Sequence, residues 1–196
     1  MIKKIIIILF VSFFANNISF TKKTNIMTIG NKNAKITVKV FSSLTCPHCA
    51  NFHNKIFDNL KKEYIDTNKV KFEHHGFPLD LAALNAEKIL RCNLDTNKNF
   101  LLLNEIYKKQ DSWAVGSDIK IINKSIKKIG KNFNLSEEKM NSCLENDLVQ
   151  EEILNERIDA QKKYKISSTP TIYINNKKFE GPHEYKKFKK ELDKFL

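Results

Sequence analysis

Alternation of apolar and polar residues marks the first clear element of this chain. Ile36-Thr-Val-Lys-Val-Phe41 carries β-branched residues at every second position, the period of a strand with one face buried. Val70-Lys-Phe-Glu-His74 repeats the pattern, and the Gly76-Phe-Pro-Leu79 loop closes it. Between the two, the period changes. From Cys46-Pro47 to about Ile65, the apolar residues Phe52, Ile56, Leu60 and Tyr64 recur every four positions, which predicts a helix with one buried face. Pro47 suits its first turn, where a missing N–H costs nothing. Upstream, Met27–Gly30 reads as a short edge strand before a turn at Asn31–Asn33.

From Asp80 to about Tyr164 no strand pattern occurs. Helices are predicted over Leu81–Cys92, Asn99–Lys109, Ser117–Ile129, Ser136–Leu144 and Asp147–Tyr164. Ser136 followed by Glu137 and Glu138 has the form of an N-cap with acidic first-turn residues, and Ser117-Asp118 opens its helix after Gly116. Strands return at Thr171–Ile174 and Lys177–Phe179, flanking Asn175-Asn176, a pair that tolerates the positive φ of a tight hairpin. A lysine-rich helix from His183 to Phe195 ends the chain. The order β-α-β, helices, β-β-α predicts an α/β fold: one central mixed sheet flanked by helices, with an inserted all-helical subdomain. The first part of the sheet domain spans 26–79, the insertion 80–164 and the second part 165–196.

Residues 1–20 are a separate matter. Lys3 and Lys4 precede the apolar run Ile5–Ala15, which stops at Asn16-Asn17. That is the plan of a secretory signal peptide, cleaved between Ala15 and Lys22, and it predicts a periplasmic protein. The run falls short of the roughly 20 residues that cross a bilayer. The formal net charge of +12 comes mostly from lysines scattered over helix faces. No basic cluster interleaved with aromatics or recognition motif accompanies it, so nucleic acid is not the expected partner. A solvated surface, attracted to an anionic membrane face or to acidic client proteins, fits the charge better. The four cysteines, Cys46, Cys49, Cys92 and Cys143, form an even count, and in an exported chain that favours pairing.

Thr45-Cys-Pro-His-Cys49 follows the first long strand and opens the first helix. A helix N-terminus brings unpaired N–H groups and partial positive charge to Cys46, favouring its thiolate, while Cys49 lies one turn inside. His48 can add charge or a hydrogen bond to the reduced site. A zinc site is the first alternative: Cys49 and His53 stand four residues apart, and His74 and His75 are available. No second C-x-x-C or H-x-x-x-H supports it, and His53 is expected on the helix surface or only partly packed. A merely structural disulfide is the second alternative. Far downstream, Ser168-Thr169-Pro170 precedes a strand. Proline is tolerated at a strand start. A cis bond there would turn the Thr169 backbone toward the cysteines, ready to pair with an extended peptide.

Taken together, Phe41-Ser-Ser-Leu-Thr-Cys46-Pro47-His48-Cys49, the Gly76–Leu79 loop, the helical insertion and Thr169-Pro170 resemble a DsbA-family thiol–disulfide oxidoreductase of thioredoxin fold, over residues 26–195. The resemblance implies a redox-active Cys46–Cys49 pair with Cys46 as nucleophile, Cys49 as resolving thiol, His48 as tuner and Pro170 as cis-proline. It implies no cofactor beyond the cysteine pair and no metal. Reduced, folding client proteins and a membrane-bound reoxidising partner are the expected partners. Two positions depart from the pattern. Many relatives carry an acid six residues before the first cysteine; Val40 stands there, beside Lys39. Thr169 occupies a variable position whose hydroxyl can reach a sulfur.

The expected function is therefore the introduction of disulfide bonds into clients. A reductase or isomerase of the same fold, and a non-catalytic client- or metal-binding module, are the alternatives. The short segment before the first strand favours a monomer over a dimer. Cys92 and Cys143 stand 51 positions apart, and a bridge between them would staple the insertion. Trp113 is expected as an anchor of the insertion, and Phe77 and Leu79 as packing residues with a client groove as the alternative.

Overall fold

The computed structural model describes residues 26–93 and 95–196, so the predicted leader lies outside the described residues. The strands are β1 (Met27–Gly30), β2 (Ile36–Ser42), β3 (Val70–Gly76), β4 (Thr171–Ile174) and β5 (Lys177–Lys178). They form one mixed sheet in the order β1-β3-β2-β4-β5. β2 and β3 run parallel, and the other three pairings are antiparallel. Alternation explains the central position of β2: Ile36, Val38 and Val40 are buried on one face, while Thr37 and Lys39 on the other are half-buried. Gly30 ends β1 with φ +98°, and a Cβ there would collide with the Val70 carbonyl. Asn175 takes φ 54° in the β4–β5 hairpin.

Helix α1 joins the parallel pair. It is α-helical over Pro47–Phe52 and Asp58–Leu60 and takes the wider π winding over His53–Phe57 and Lys61–Ile65. Phe52, Ile56, Leu60 and Tyr64 are buried, as their spacing predicts. The wide turns rotate a second row inward, His53, Phe57 and Ile65. His53 is thus fully packed, at 4% exposure, and not a surface residue.

The inserted helices are α2 (Leu81–Leu90), α3 (Thr96–Lys108), α4 (Gln110–Trp113), α5 (Ile119–Lys131), α6 (Glu137–Leu144) and α7 (Asp147–Tyr164). Side-chain caps set where most of them begin. Asp80, Asp95, Asp118, Ser136 and Asn146 each accept from first-turn N–H groups. Asp95 starts α3 three residues ahead of Asn99, and Asp118 rather than Ser117 caps α5. The short α4 has no periodic pattern to announce it. Its Trp113 is buried and donates to the Ile106 carbonyl at 2.9 Å, anchoring the insertion. The last helix, α8 (Tyr185–Asp193), is shorter than its lysine-rich run. Its Phe188 packs edge-on against Phe52 of α1. On the opposite face of the sheet, Phe41 and Phe77 pack with Ala160 and Ile166 near the end of α7. Among the described residues no helix is long and apolar enough to cross a membrane.

Cys92, just past α2, and Cys143 of α6 form a disulfide with Cα atoms 5.9 Å apart. Closing a 51-residue separation removes chain entropy from the unfolded state, worth about 4 kcal/mol in the chain-entropy model. The double substitution of Cys92 and Cys143 by Ser is expected to lower the denaturation midpoint by an amount approaching this. An unchanged midpoint would show that the bridge contributes no stability.

Candidate active site

β2 ends at the C-terminal edge of the sheet, and the chain turns through Ser43–Thr45 directly into α1. Cys46 occupies the N-cap with extended backbone (φ −80°, ψ 119°), and Pro47 follows in the first turn. No side-chain oxygen caps this helix, so its first N–H groups are left for the sulfur of Cys46. Both cysteines are free and buried. A hydrogen bond from the Cys49 thiol is the largest influence on Cys46. With the Thr169 side chain and the backbone N–H groups of Cys49 and His48, it outweighs burial and brings the Cys46 pKa down to about 5. Burial, reinforced by the neighbouring Cys46 sulfur, drives Cys49 the other way, above the ordinary thiol range. Two thiols three residues apart thus occupy opposite chemical environments.

Thr169–Pro170 is a cis peptide. It brings the Thr169 carbonyl to 3.5 Å from Cys46 Sγ. The Thr169 hydroxyl is buried beside the two sulfurs and lowers both thiols. His48 and Pro47 stand exposed at the mouth of the site. His48 acts on Cys46 through its backbone N–H. His74 and His75 are successive residues of β3 and face opposite sides of the sheet, so they do not converge with the cysteines. Among the described residues no group of three His, Cys, Asp or Glu side chains is arranged to hold a metal.

The loop is held from the insertion. Gln110 of α4 is buried and donates from Nε2 to the carbonyls of Leu44 (2.7 Å) and Cys46 (3.1 Å). Thr45 Oγ1 donates to Asp80 Oδ2 at 2.8 Å, while the other oxygen of Asp80 caps α2. Gln110 carries no sequence signal, since its role depends on a fold contact 64 to 66 residues away. Beside this loop, Thr45, Asp80, Leu81, Ala114 and Ile119 border a cavity of about 400 Å³. Leu79 and Leu81 are exposed nearby, whereas Phe77 is core. His183, also unforeseen, packs edge-on against Phe52 at 5.3 Å. Burial and then the charge of His48 lower its pKa.

The thioredoxin family model matches residues 22–194. The crystal structure of alpha-DsbA1 from Wolbachia pipientis is 28% identical and superposes with a TM-score of 0.80, covering 88% of this chain and 92% of that one. This chain belongs to the DsbA family. Disulfide bond formation protein D of Bacillus subtilis is 29% identical over 180 residues, covering 86% of this chain and 76% of that protein. A Rickettsia bellii protein provisionally named a protein-disulfide oxidoreductase is 33% identical over 164 residues, 84% of this chain. This DsbA-family chain spans between 56% and 64% of the length of the Rickettsia relatives it matches.

The split environments give this DsbA-family site a pH signature. Reduced Cys46 binds its proton less tightly when folded than when unfolded. Between about 5 and the ordinary thiol value of 9.0, the unfolded chain therefore holds one more proton, and folding stability rises with pH. The contribution is full above that range and lost as pH falls through about 5. His53, which burial lowers to about 3, titrates in both redox forms and cancels in their difference. The denaturation midpoint of the reduced protein minus that of the oxidised protein is expected to rise with pH across this window. A flat difference would contradict the thiolate assignment.

Proposed function

We propose that this chain is an exported thiol–disulfide oxidoreductase that introduces disulfides into client proteins. The observation that carries the proposal is the division of labour between the thiols: Cys46 a stabilised thiolate at a helix start, Cys49 a buried, protonated neighbour. A client thiolate attacks the Cys46 sulfur of the oxidised pair. The Cys46–Cys49 bond breaks, and its electrons go to Cys49. The client's second thiolate then attacks the client sulfur of the mixed disulfide, expelling Cys46 as a thiolate and leaving the client oxidised.

A low pKa makes Cys46 a good leaving group and stabilises the reduced protein, both of which favour oxidation of the client. Pro47 and His48 border the attacked sulfur. Thr169, set by Pro170, offers its carbonyl beside Cys46 for an extended client peptide. The basic and apolar residues 3–15 support export to the periplasm. Regeneration requires a disulfide-bearing partner at the membrane. The cysteine pair is the redox centre, and the chemistry uses no other cofactor.

Two measurements test this. Cys46→Ala is expected to abolish oxidation of a reduced model protein, and Cys49→Ala to accumulate a mixed disulfide on Cys46. Equilibration with glutathione is expected to give a potential well above thioredoxin's roughly −270 mV. Turnover retained in Cys46→Ala would overturn the enzyme assignment, and a potential near thioredoxin's would overturn the direction.

A further inference from the structure

The turn that delivers Cys46 to α1 is buried: Ser43 and Leu44 are wholly enclosed, so each backbone group there needs a partner within the protein. The Cys46 N–H closes the turn on the Ser43 carbonyl at 3.2 Å. Among the described residues no backbone N–H reaches the Leu44 carbonyl. Its donor is the Gln110 side chain at 2.7 Å, and the same nitrogen donates to the Cys46 carbonyl at 3.1 Å. A carbonyl only accepts, so Nε2 of the amide, with one proton for each, faces the pair. A carboxylate or an apolar side chain could not replace it.

The Cys46 carbonyl is crowded with donors. The Cys49 N–H at 3.0 Å and the Ala50 N–H at 3.1 Å make the first bonds of α1, and Gln110 is the third. Pro47 has no N–H, so this oxygen is the one polar atom of the Cys46–Pro47 peptide that can be held, and Gln110 is its hold outside α1. Two lone pairs shared among three donors bind each less strongly than they would bind it alone. The consequence falls on the Cys49 N–H, which serves two acceptors, the Cys46 carbonyl and the Cys46 sulfur. A donor that supplies the carbonyl leaves more of that N–H for the sulfur.

α4 fixes the amide in place. The Ala114 N–H bonds the Gln110 carbonyl at 2.9 Å, and Trp113 between them is buried and bonded to the Ile106 carbonyl. The amide thus comes from the insertion, while the sulfur it acts on belongs to the sheet domain. The other tie between the two, Thr45 to Asp80, is exposed and touches neither carbonyl.

We propose that Gln110 is a positioning residue of the exchange: by supplying the Leu44 and Cys46 carbonyls it keeps the first N–H groups of α1 on the Cys46 sulfur, and so shifts the cysteine pair toward its reduced form. This rests on the thiol–disulfide exchange above and holds for either direction of it. Equilibration with glutathione reads the shift. The Cys46 thiolate attacks oxidised glutathione and releases one glutathione thiolate. Cys49 then loses its proton to the solvent and attacks Cys46, and the second glutathione leaves with the electron pair of the broken bond. The protein is oxidised to the Cys46–Cys49 disulfide, and glutathione disulfide is reduced to two glutathiones.

Gln110→Met keeps the length of the side chain and removes both donors. It is expected to raise the pH midpoint of the Cys46 thiolate, read by its ultraviolet absorbance. The glutathione equilibrium is expected to shift about tenfold toward the oxidised protein, the order of one hydrogen bond to a charged group. Thermal denaturation of the oxidised form verifies that the variant folds. A folded variant with the parent's thiolate midpoint and glutathione equilibrium would overturn the assignment and leave Gln110 a stabilising residue only. In the parent, the Gln110 side-chain amide protons are expected to exchange slowly with solvent and to shift in NMR spectra as Cys46 titrates. Signals that stay in place would overturn the assignment whether or not the variant folds. A parent that does not equilibrate with glutathione defeats the proposed function instead, and the thiolate midpoints of parent and variant still decide the role of Gln110.

Discussion

The unpaired N–H groups at the start of α1 set the constraint to which the rest of the site conforms. Helices of this fold that begin with Asp, Asn or Ser close their first turn with a side-chain oxygen, as α2, α3, α5, α6 and α7 do. α1 begins with Cys46 and has no such oxygen. A thiolate there satisfies donors that a disulfide sulfur satisfies poorly, so the helix end favours the reduced state. Placing Cys49 one turn further in, where burial opposes charge, makes the pair asymmetric without any added group. Thr169 and Gln110 hold the two sides of this helix start in place.

α2 connects that start to the rest of the molecule. At its N-cap, Asp80 bonds Thr45, next to Cys46. Near its C-terminal end, Glu87 reaches His74 of β3 and Arg91 reaches Glu156 of α7. Just past its end, Cys92 is bonded to α6. The helical insertion is therefore joined to the sheet by buried charges as well as by apolar contact. Such a network adds little net stability against an apolar substitute, yet removing one member costs about 3–5 kcal/mol, because a charge is left buried alone. It fixes one relative placement of insertion and sheet, and with it the position of Gln110 over the loop.

The parts legible in the sequence are those with a local physical signature. Alternation exposes β2 and β3 because one face of each is buried against α1. The four-residue period exposes α1, and Asn175-Asn176 exposes the last hairpin. Cys46 and Cys49 are legible because their spacing and position carry the chemistry. Helix starts shift where an Asp cap lies upstream of the first periodic residue, as at Asp95. His53 misleads because the π winding adds an inward row that a regular helix lacks. His74 reads only as a spare ligand of the zinc alternative, and Glu87, Arg91 and Glu156 as ordinary polar residues, since only the fold brings β3, α2 and α7 together. Gln110 is invisible for the same reason.

A thiol near 5 is almost entirely thiolate at neutral pH, but nucleophilicity falls along with basicity. Cys46 is on these grounds a better leaving group than attacker. In the mixed disulfide of the proposed exchange, a client thiol can expel it readily. Cys49 is the competing nucleophile, and its attack would return the client unoxidised. Burial keeps Cys49 protonated, which suppresses that return and gives the client time to complete its own bond. The same burial makes closure slow when the enzyme itself must be reoxidised. One buried thiol therefore has to be inert toward clients and reactive toward the oxidant.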